Sequence, residues 1–112
     1  MRVLVVGGAG YIGSHCVRKA ALNGHDVAVY DNFSSGHRWA CSNVPVREGD
    51  ILDTDYLTHC LKGFDAVFHS AAKSVVSESV DRPNWYTLNN AEGTASILKA
   101  MTKNSCNVLA FS

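Results

Sequence analysis

MRVLVVGGAGYIG, residues 1–13, opens the chain and decides its fold. An apolar run, Val3 to Val6, passes directly into Gly7, Gly8, Gly10 and Gly13. An amphipathic stretch follows, and a second apolar run, Val27 to Tyr30, ends at Asp31. Apolar strand, glycine turn, helix, apolar strand and terminal carboxylate, in that order, make the pattern of a βαβ dinucleotide-binding unit. The glycines fit two registers, Gly7-x-x-Gly10-x-x-Gly13 and Gly8-x-Gly10-x-x-Gly13.

The residue types follow from the ligand. A pyrophosphate needs backbone N–H donors with no side chain in the way, and glycine removes the Cβ that would obstruct them. The helix after the turn presents free N–H groups and the positive end of its dipole to the phosphates. Gly13 lets that helix approach the sheet closely. Asp31, at the tip of the second strand, can accept hydrogen bonds from both hydroxyls of an adenosine ribose and would repel a 2′-phosphate, which favours NAD over NADP.

Strand and helix patterns alternate along the remainder. The spacing predicts strands at about 2–6, 26–30, 44–48 and 64–69, with a fifth starting near Cys106. It predicts a first helix from Tyr11 to Asn23, with Ile12, Cys16, Val17, Ala20 and Ala21 on its apolar face, stopped by Gly24. A second helix over 54–61 is capped by Asp53. A third starts at Pro83 and turns Trp85, Leu88, Ala95, Leu98 and Met101 toward the sheet. The expected fold class is α/β, a Rossmann-type doubly wound parallel sheet of five strands in the order 3-2-1-4-5, forming an incomplete NAD-binding domain over 1–112. Ligands bind such sheets beyond the carboxyl ends of the strands, at the switch between strands one and four.

At 112 residues, 46% hydrophobic and with zero formal net charge, the chain suits one domain with a modest core and gives no sign of nucleic-acid binding. No apolar stretch is long enough to span a membrane, and no signal-peptide pattern precedes the first strand. Cys16, Cys41, Cys60 and Cys106 are scattered with no CxxC pair, which disfavours zinc and suits reduced thiols in a cytoplasmic setting. The five histidines lack metal-ligand spacing, so no metal site is expected.

Several segments go further. GGAGYIG, DNFSSG (31–36), GDILD (49–53), HSAAKSVVSESVDRP (69–83) and NNAEGT (89–94) together resemble the UDP-glucose 4-epimerases, extended short-chain dehydrogenases, across essentially the whole chain. The resemblance implies cofactor contacts by position. Gly7, Gly10 and Gly13, with the backbone of Tyr11 and Ile12, would line the pyrophosphate turn. Asp31 would hold the ribose, and Asn32, Phe33, Ser34, Ser35 and Gly36 would close over the adenine side. Asp50 would meet the adenine amine while Ile51 packs on the ring. Ser70, Ala71 and Ala72 would run beneath the nicotinamide half, with Ser74 and Asn89 near the nicotinamide and the nucleotide-sugar. A lysine often stands at the Ser74 position in such epimerases; here the lysine is Lys73, and it receives no assignment. Asp50 has a plainer alternative, that it simply begins the turn into the second helix. Gly93, inside a helix, suggests close packing there, because a mid-helix glycine costs about 1 kcal/mol against alanine.

The resemblance implies a reaction in which the sugar C4 hydroxyl is oxidised by NAD and then reduced on its other face, driven by a tyrosine base with a lysine four residues later. Tyr11, Tyr30, Tyr56 and Tyr86 are followed at that distance by His15, Ser34, Cys60 and Asn90, so YxxxK does not occur. The expectation is an NAD-binding N-terminal portion that lacks its substrate domain, names no catalytic residue, and binds a UDP-hexose only when completed by a C-terminal portion. Uncovered apolar groups such as Val67 and Leu109 would then favour poor solubility, a homodimer or a complementing fragment. Two alternatives remain at this stage: a piece of another nucleotide-sugar epimerase or dehydratase, and a non-catalytic NAD-binding module.

Overall fold

The computed structural model describes residues 1–9, 11–33, 44–70 and 83–111, and of Tyr11, 83–90 and Phe111 the backbone alone. The elements run β1 (Arg2–Val6), α1 (Tyr11–Leu22), β2 (Asp26–Asp31), β3 (Val46–Glu48), α2 (Thr54–Cys60), β4 (Ala66–His69), α3 (Pro83–Lys103) and β5 (Val108–Phe111). The strands form one parallel sheet in the order β3-β2-β1-β4-β5, as the alternation predicts. β1 is central, pairing Val3 with Val27 on one side and with Ala66 on the other.

Strand side chains alternate between the two faces. Leu4, Val6, Ala28, Tyr30 and Val67 point to the face covered by α2 and α3, where Leu57, Leu61, Ile97, Ala100 and Met101 meet them. Val5, Val27 and Val29 point to the other face, with Val17 of α1 and Ala9. Asp53 caps α2 by accepting from Tyr56 N, as expected. Polar ties lock α2 to α3: Thr54 Oγ1 lies 2.7 Å from Ser96 Oγ, and Asn104 Nδ2 donates to Thr58 O at 2.9 Å.

Several expectations need correction. The buried side of α1 carries Gly13 and Val17, with Cys16 and Ala20 half-buried, whereas Ile12 and Ala21 are exposed. The reason is Gly13: the helix seats on the sheet at the position without a Cβ, and this turns the neighbouring Ile12 outward. On α3 the inward stripe is Gly93, Ser96, Ile97, Ala100 and Met101, while Ala95 and Leu98 face outward. Close contact at Gly93 and the Ser96–Thr54 bond set that rotation, and a hydrophobicity pattern does not count a glycine and a serine as inward-facing. The side chains of Trp85 and Leu88 lie outside the described residues. β3 and β4 begin at Val46 and Ala66, two residues later than expected. Pro45 has no N–H to donate, and the Phe64 ring instead sits 4.6 Å from the Arg2 guanidinium carbon. β5 starts at Val108 because the Cys106 N–H is taken by Met101 O, closing the end of α3 with Ser105 at φ 55°. Val67 is buried and Leu109 is partly packed against the same core. Among the described side chains of β5, Val108 is exposed at 49%, and Ala110 is exposed as well.

Candidate functional site

Two of the positive-φ residues among those described, Gly7 and Phe33, lie just beyond the carboxyl ends of β1 and β2. Gly7 leaves β1 with φ 87°, a conformation that L side chains rarely adopt, and its N–H donates to Tyr30 O at 2.7 Å, extending the ladder into the turn. A Cβ on Gly13 would lie 2.7 Å from Ser70 Oγ, 2.8 Å from Gly8 Cα and closer still to Gly7 O. Backbone therefore touches backbone where α1 begins. Gly8 packs against side chains instead, its missing Cβ leaving room for Val29, whose methyl would lie 2.7 Å away, and for Val17. Gly10 lies outside the described residues, so the choice between the two glycine registers stays with Gly7, Gly8 and Gly13, all of which have a steric reason to be glycine.

Ser70 ties β4 to this turn. Its N–H donates to Val6 O at 2.8 Å, and its hydroxyl lies 3.0 Å from Val6 O and 3.2 Å from Gly7 O. The hydroxyl proton is thus committed to the turn, leaving only its lone pairs for anything placed above. Next to Ser70 is His69, which is 3% exposed. Burial pushes its imidazole below the usual histidine range, which favours the neutral ring.

Asp31 stands at the rim. One carboxylate oxygen accepts from Ala9 N at 2.9 Å, and the other accepts from Phe33 N at 2.8 Å. The first bond joins β2 to the glycine turn, and the second folds the chain back after Asp31, with Phe33 at φ 59°. Ionised carboxylates have about four acceptor positions, so each oxygen keeps a lone pair for a hydroxyl donor. Asn32 is exposed and Phe33 is half-buried against the α1-side core. Ser34, Ser35 and Gly36 lie outside the described residues, as do Ala71, Ala72 and Ser74; Asn89 is placed only as a backbone position in α3.

The turn after β3 completes the rim. Asp50 Oδ1 accepts from Leu52 N at 2.8 Å, and Asp50 O accepts from Asp53 N at 3.1 Å. Asp50 does start the turn into α2, the plainer of its two expected roles, and it remains exposed beside the half-buried Ile51. Ile51 Cδ1 sits 3.1 Å from where a Cβ of Gly93 would be, so Ile51 packs closely on the glycine inside α3 and an added methyl would require it to shift by a few tenths of an ångström. Sequence reasoning overlooked Tyr30. It is 1% exposed, and its hydroxyl donates to Asp50 O at 2.6 Å. The available signal was a hydroxyl-bearing aromatic at the end of an apolar strand, immediately before the rim carboxylate.

A glycine corner with left-handed backbone, a helix N-terminus over it and a fixed carboxylate beside it, all at the β1/β4 switch of a 3-2-1-4-5 parallel sheet, define a Rossmann-type unit. The chain belongs to the NAD dependent epimerase/dehydratase family, whose model matches residues 3–112. It is 46% identical over 115 aligned positions to a UDP-glucose 4-epimerase of Lactobacillus helveticus, covering 100% of this chain and 35% of the relative. Among solved structures, it superposes on UDP-glucose 4-epimerase from Brucella ovis in complex with NAD with a TM-score of 0.92 and 43% identity, over 98% of this chain and 34% of that one. It superposes on the Stenotrophomonas maltophila enzyme with bound NAD and formylated UDP-arabinopyranose with a TM-score of 0.94 and 31% identity, over 99% and 36%. The chain thus corresponds to the N-terminal part, about 35% of the length, of the UDP-glucose 4-epimerases it matches. No helix among the described residues is long and apolar enough to cross a membrane.

Proposed function

We propose that this chain is the NAD-holding part of a UDP-hexose 4-epimerase. The backbone from Gly7 through Gly10, Tyr11, Ile12 and Gly13 cradles the pyrophosphate, and Asp31 accepts from the adenosine ribose hydroxyls. Asn32 to Gly36 flank the adenine, with Asp50 at its amine and Ile51 on its face. Ser70, Ala71 and Ala72 lie under the nicotinamide half, with Ser74 and Asn89 toward the sugar. The observation that carries this reading is the Asp31 carboxylate, held by Ala9 N and Phe33 N beside the Gly7–Gly13 corner. The missing Cβ at Gly13 lets the start of α1 seat directly on the turn after β1, which brings its free N–H groups to the corner, and the carboxylate is already oriented, so little rotamer entropy is lost on binding.

When bound, NAD supplies the hydride acceptor and donor for the sugar C4. The residues of this chain bind and orient it: α1 neutralises phosphate charge with its N-terminus, Asp31 fixes the ribose and excludes a 2′-phosphate, and Ser70 braces the turn. None of the 112 residues forms a YxxxK pair, so the chain by itself holds NAD without epimerising a sugar. Residues 1–112 act as part of the NAD-binding domain. UDP-hexose binding requires completion by a C-terminal portion, since the chain spans only 35% of the relative it matches. Pairing with a second copy or with a complementing fragment along the β5 side fits the exposed Val108. A cytoplasmic setting fits Cys16, Cys60 and Cys106 as free thiols.

Calorimetric titration tests the reading. NAD binds more tightly than NADP. Asp31→Ala weakens NAD roughly ten- to a hundredfold, the value of one hydrogen bond to a charged acceptor at about 1.5–3 kcal/mol. A folded wild-type chain that ignores NAD, or an Asp31→Ala chain that binds it equally well, refutes the proposal. Interconversion of UDP-glucose and UDP-galactose by the purified chain refutes the claim of inactivity.

A further inference from the structure

We propose that Tyr30 is a positioning residue for the adenine end of the site, acting through the Asp50–Asp53 turn. The inference rests on the proposed role of Asp50 and Ile51. Tyr30 lies under that turn, on the α2/α3 face of β2. Its hydroxyl donates at 2.6 Å to Asp50 O, the same carbonyl that accepts from Asp53 N at 3.1 Å. One carbonyl thus gathers two donors, one from inside the turn and one from the core. A third bond, from Leu52 N to Asp50 Oδ1, orients the carboxylate itself. With the carbonyl pinned from below and the carboxylate pinned by Leu52, Asp50 has little freedom left.

Gly49 makes the arrangement possible. A Cβ there would fall 2.5 Å from Tyr30 Oη and 2.7 Å from Tyr30 Cζ, so any side chain at 49 displaces the phenol. Gly49 N also donates to Asp31 O at 3.0 Å, so the ribose and adenine ends of the rim share the same two strand ends. Tyr56, itself exposed, flanks the phenol with its ring centroid 5.9 Å away. Burial, reinforced by the Asp53 carboxylate, raises the Tyr30 phenol far above the usual tyrosine range. Tyr30 is therefore a permanent donor at neutral pH. It is not a base, and it touches no ligand.

Tyr30→Phe keeps the ring and removes only the donor. It is compared with the wild-type chain, Gly49→Ala and Asp50→Ala, titrated with NAD and with the hypoxanthine analogue of NAD, which lacks the adenine amine. The wild type prefers NAD. In Tyr30→Phe the NAD affinity falls two- to tenfold, the value of one ordinary hydrogen bond, and the preference for NAD over the analogue shrinks by at least threefold. Gly49→Ala reproduces both effects, and Tyr30→Phe changes the preference no further once Asp50 is alanine. Amide hydrogen exchange separates positioning from general destabilisation. The Leu52 and Asp53 amides exchange several-fold faster in Tyr30→Phe, while the Leu57 and Val5 amides keep the wild-type rate. An unchanged preference with unchanged Leu52 and Asp53 exchange overturns the role of Tyr30 and leaves the NAD site standing. A wild type that binds NAD without preferring it to the analogue also overturns the role. A folded wild type that binds neither dinucleotide overturns the site and this inference with it.

Discussion

Gly13→Ala tests whether the glycine corner is built for contact or merely tolerates it. The new methyl would meet Gly7 O, Gly8 Cα and the Ser70 hydroxyl at 2.8 Å or less. Two of these are backbone atoms, and the third is held by Val6 O and Gly7 O. No side chain can rotate away, so α1 itself must lift. Overpacking of this kind costs about 1–3 kcal/mol, and the absence of a flexible neighbour argues for the upper half of that range. Alanine recovers up to about 1 kcal/mol of helix propensity over glycine, so the net loss is about 1–2 kcal/mol. That corresponds to a Tm lowered by roughly 4–12 °C in a chain of this size. Lifting α1 also moves the N–H groups that face the pyrophosphate, and NAD affinity falls at least tenfold. Gly24→Ala is the control, since Gly24 has φ 84° with nothing within 4 Å of an added Cβ. It loses about 1–2 kcal/mol through backbone strain alone and leaves NAD affinity intact, because it lies at the far end of α1. Urea denaturation with calorimetric titration reads both quantities. A Gly13→Ala chain with wild-type stability and affinity, or a Gly24→Ala chain that loses NAD equally, refutes the steric account.

Two further predictions address the core and pH. Leu61, fully buried beneath the sheet, becomes a cavity in Leu61→Ala; unfolding free energy drops by about 2–5 kcal/mol, read by denaturant titration. His69 is a base whose folded pKa is lowered by burial, so below about pH 6.5 the unfolded chain takes up its proton before the folded one does. Stability contributed at neutral pH is therefore lost as the solution is acidified from that point, with a slope of at most about 1.4 kcal/mol per pH unit from this group. In His69→Gln that part of the slope disappears, and equal slopes in both proteins over pH 5–7 count against the assignment.

The sheet order and the rim carboxylate were legible because they rest on strong local signals: glycines after an apolar strand, an aspartate at the next strand's tip, an Asp53 cap. The helix faces were not. Gly13 and Gly93 bury positions that carry no hydrophobic side chain, Ser96 is buried through its bond to Thr54, and Leu98 is apolar yet 48% exposed. Periodicity weighs side-chain polarity, whereas the rotation of α1 follows backbone touching backbone at Gly13, and that of α3 follows Ile51 packed against Gly93 and the Ser96–Thr54 bond. Tyr30 escaped for a related reason. A tyrosine in an apolar run reads as packing, and the carbonyl it binds belongs to a turn twenty residues away in sequence.

The central position of β1 also orders events during synthesis. Arg2 pairs with Asp26, but Val3 finds its other neighbour only at Ala66, and the Arg2 N–H waits for Asp65. A chain emerging from its amino end can assemble β1, α1 and β2 early, yet the flank of β1 that will receive β4 stays unpaired until the latter half of the sequence has appeared. Over that interval an apolar strand with open hydrogen-bonding groups is exposed to other nascent chains. The strand that carries the glycine corner is thus made well before β4 and enclosed only with it, and slowing synthesis ahead of residue 66 lengthens the period in which it can aggregate.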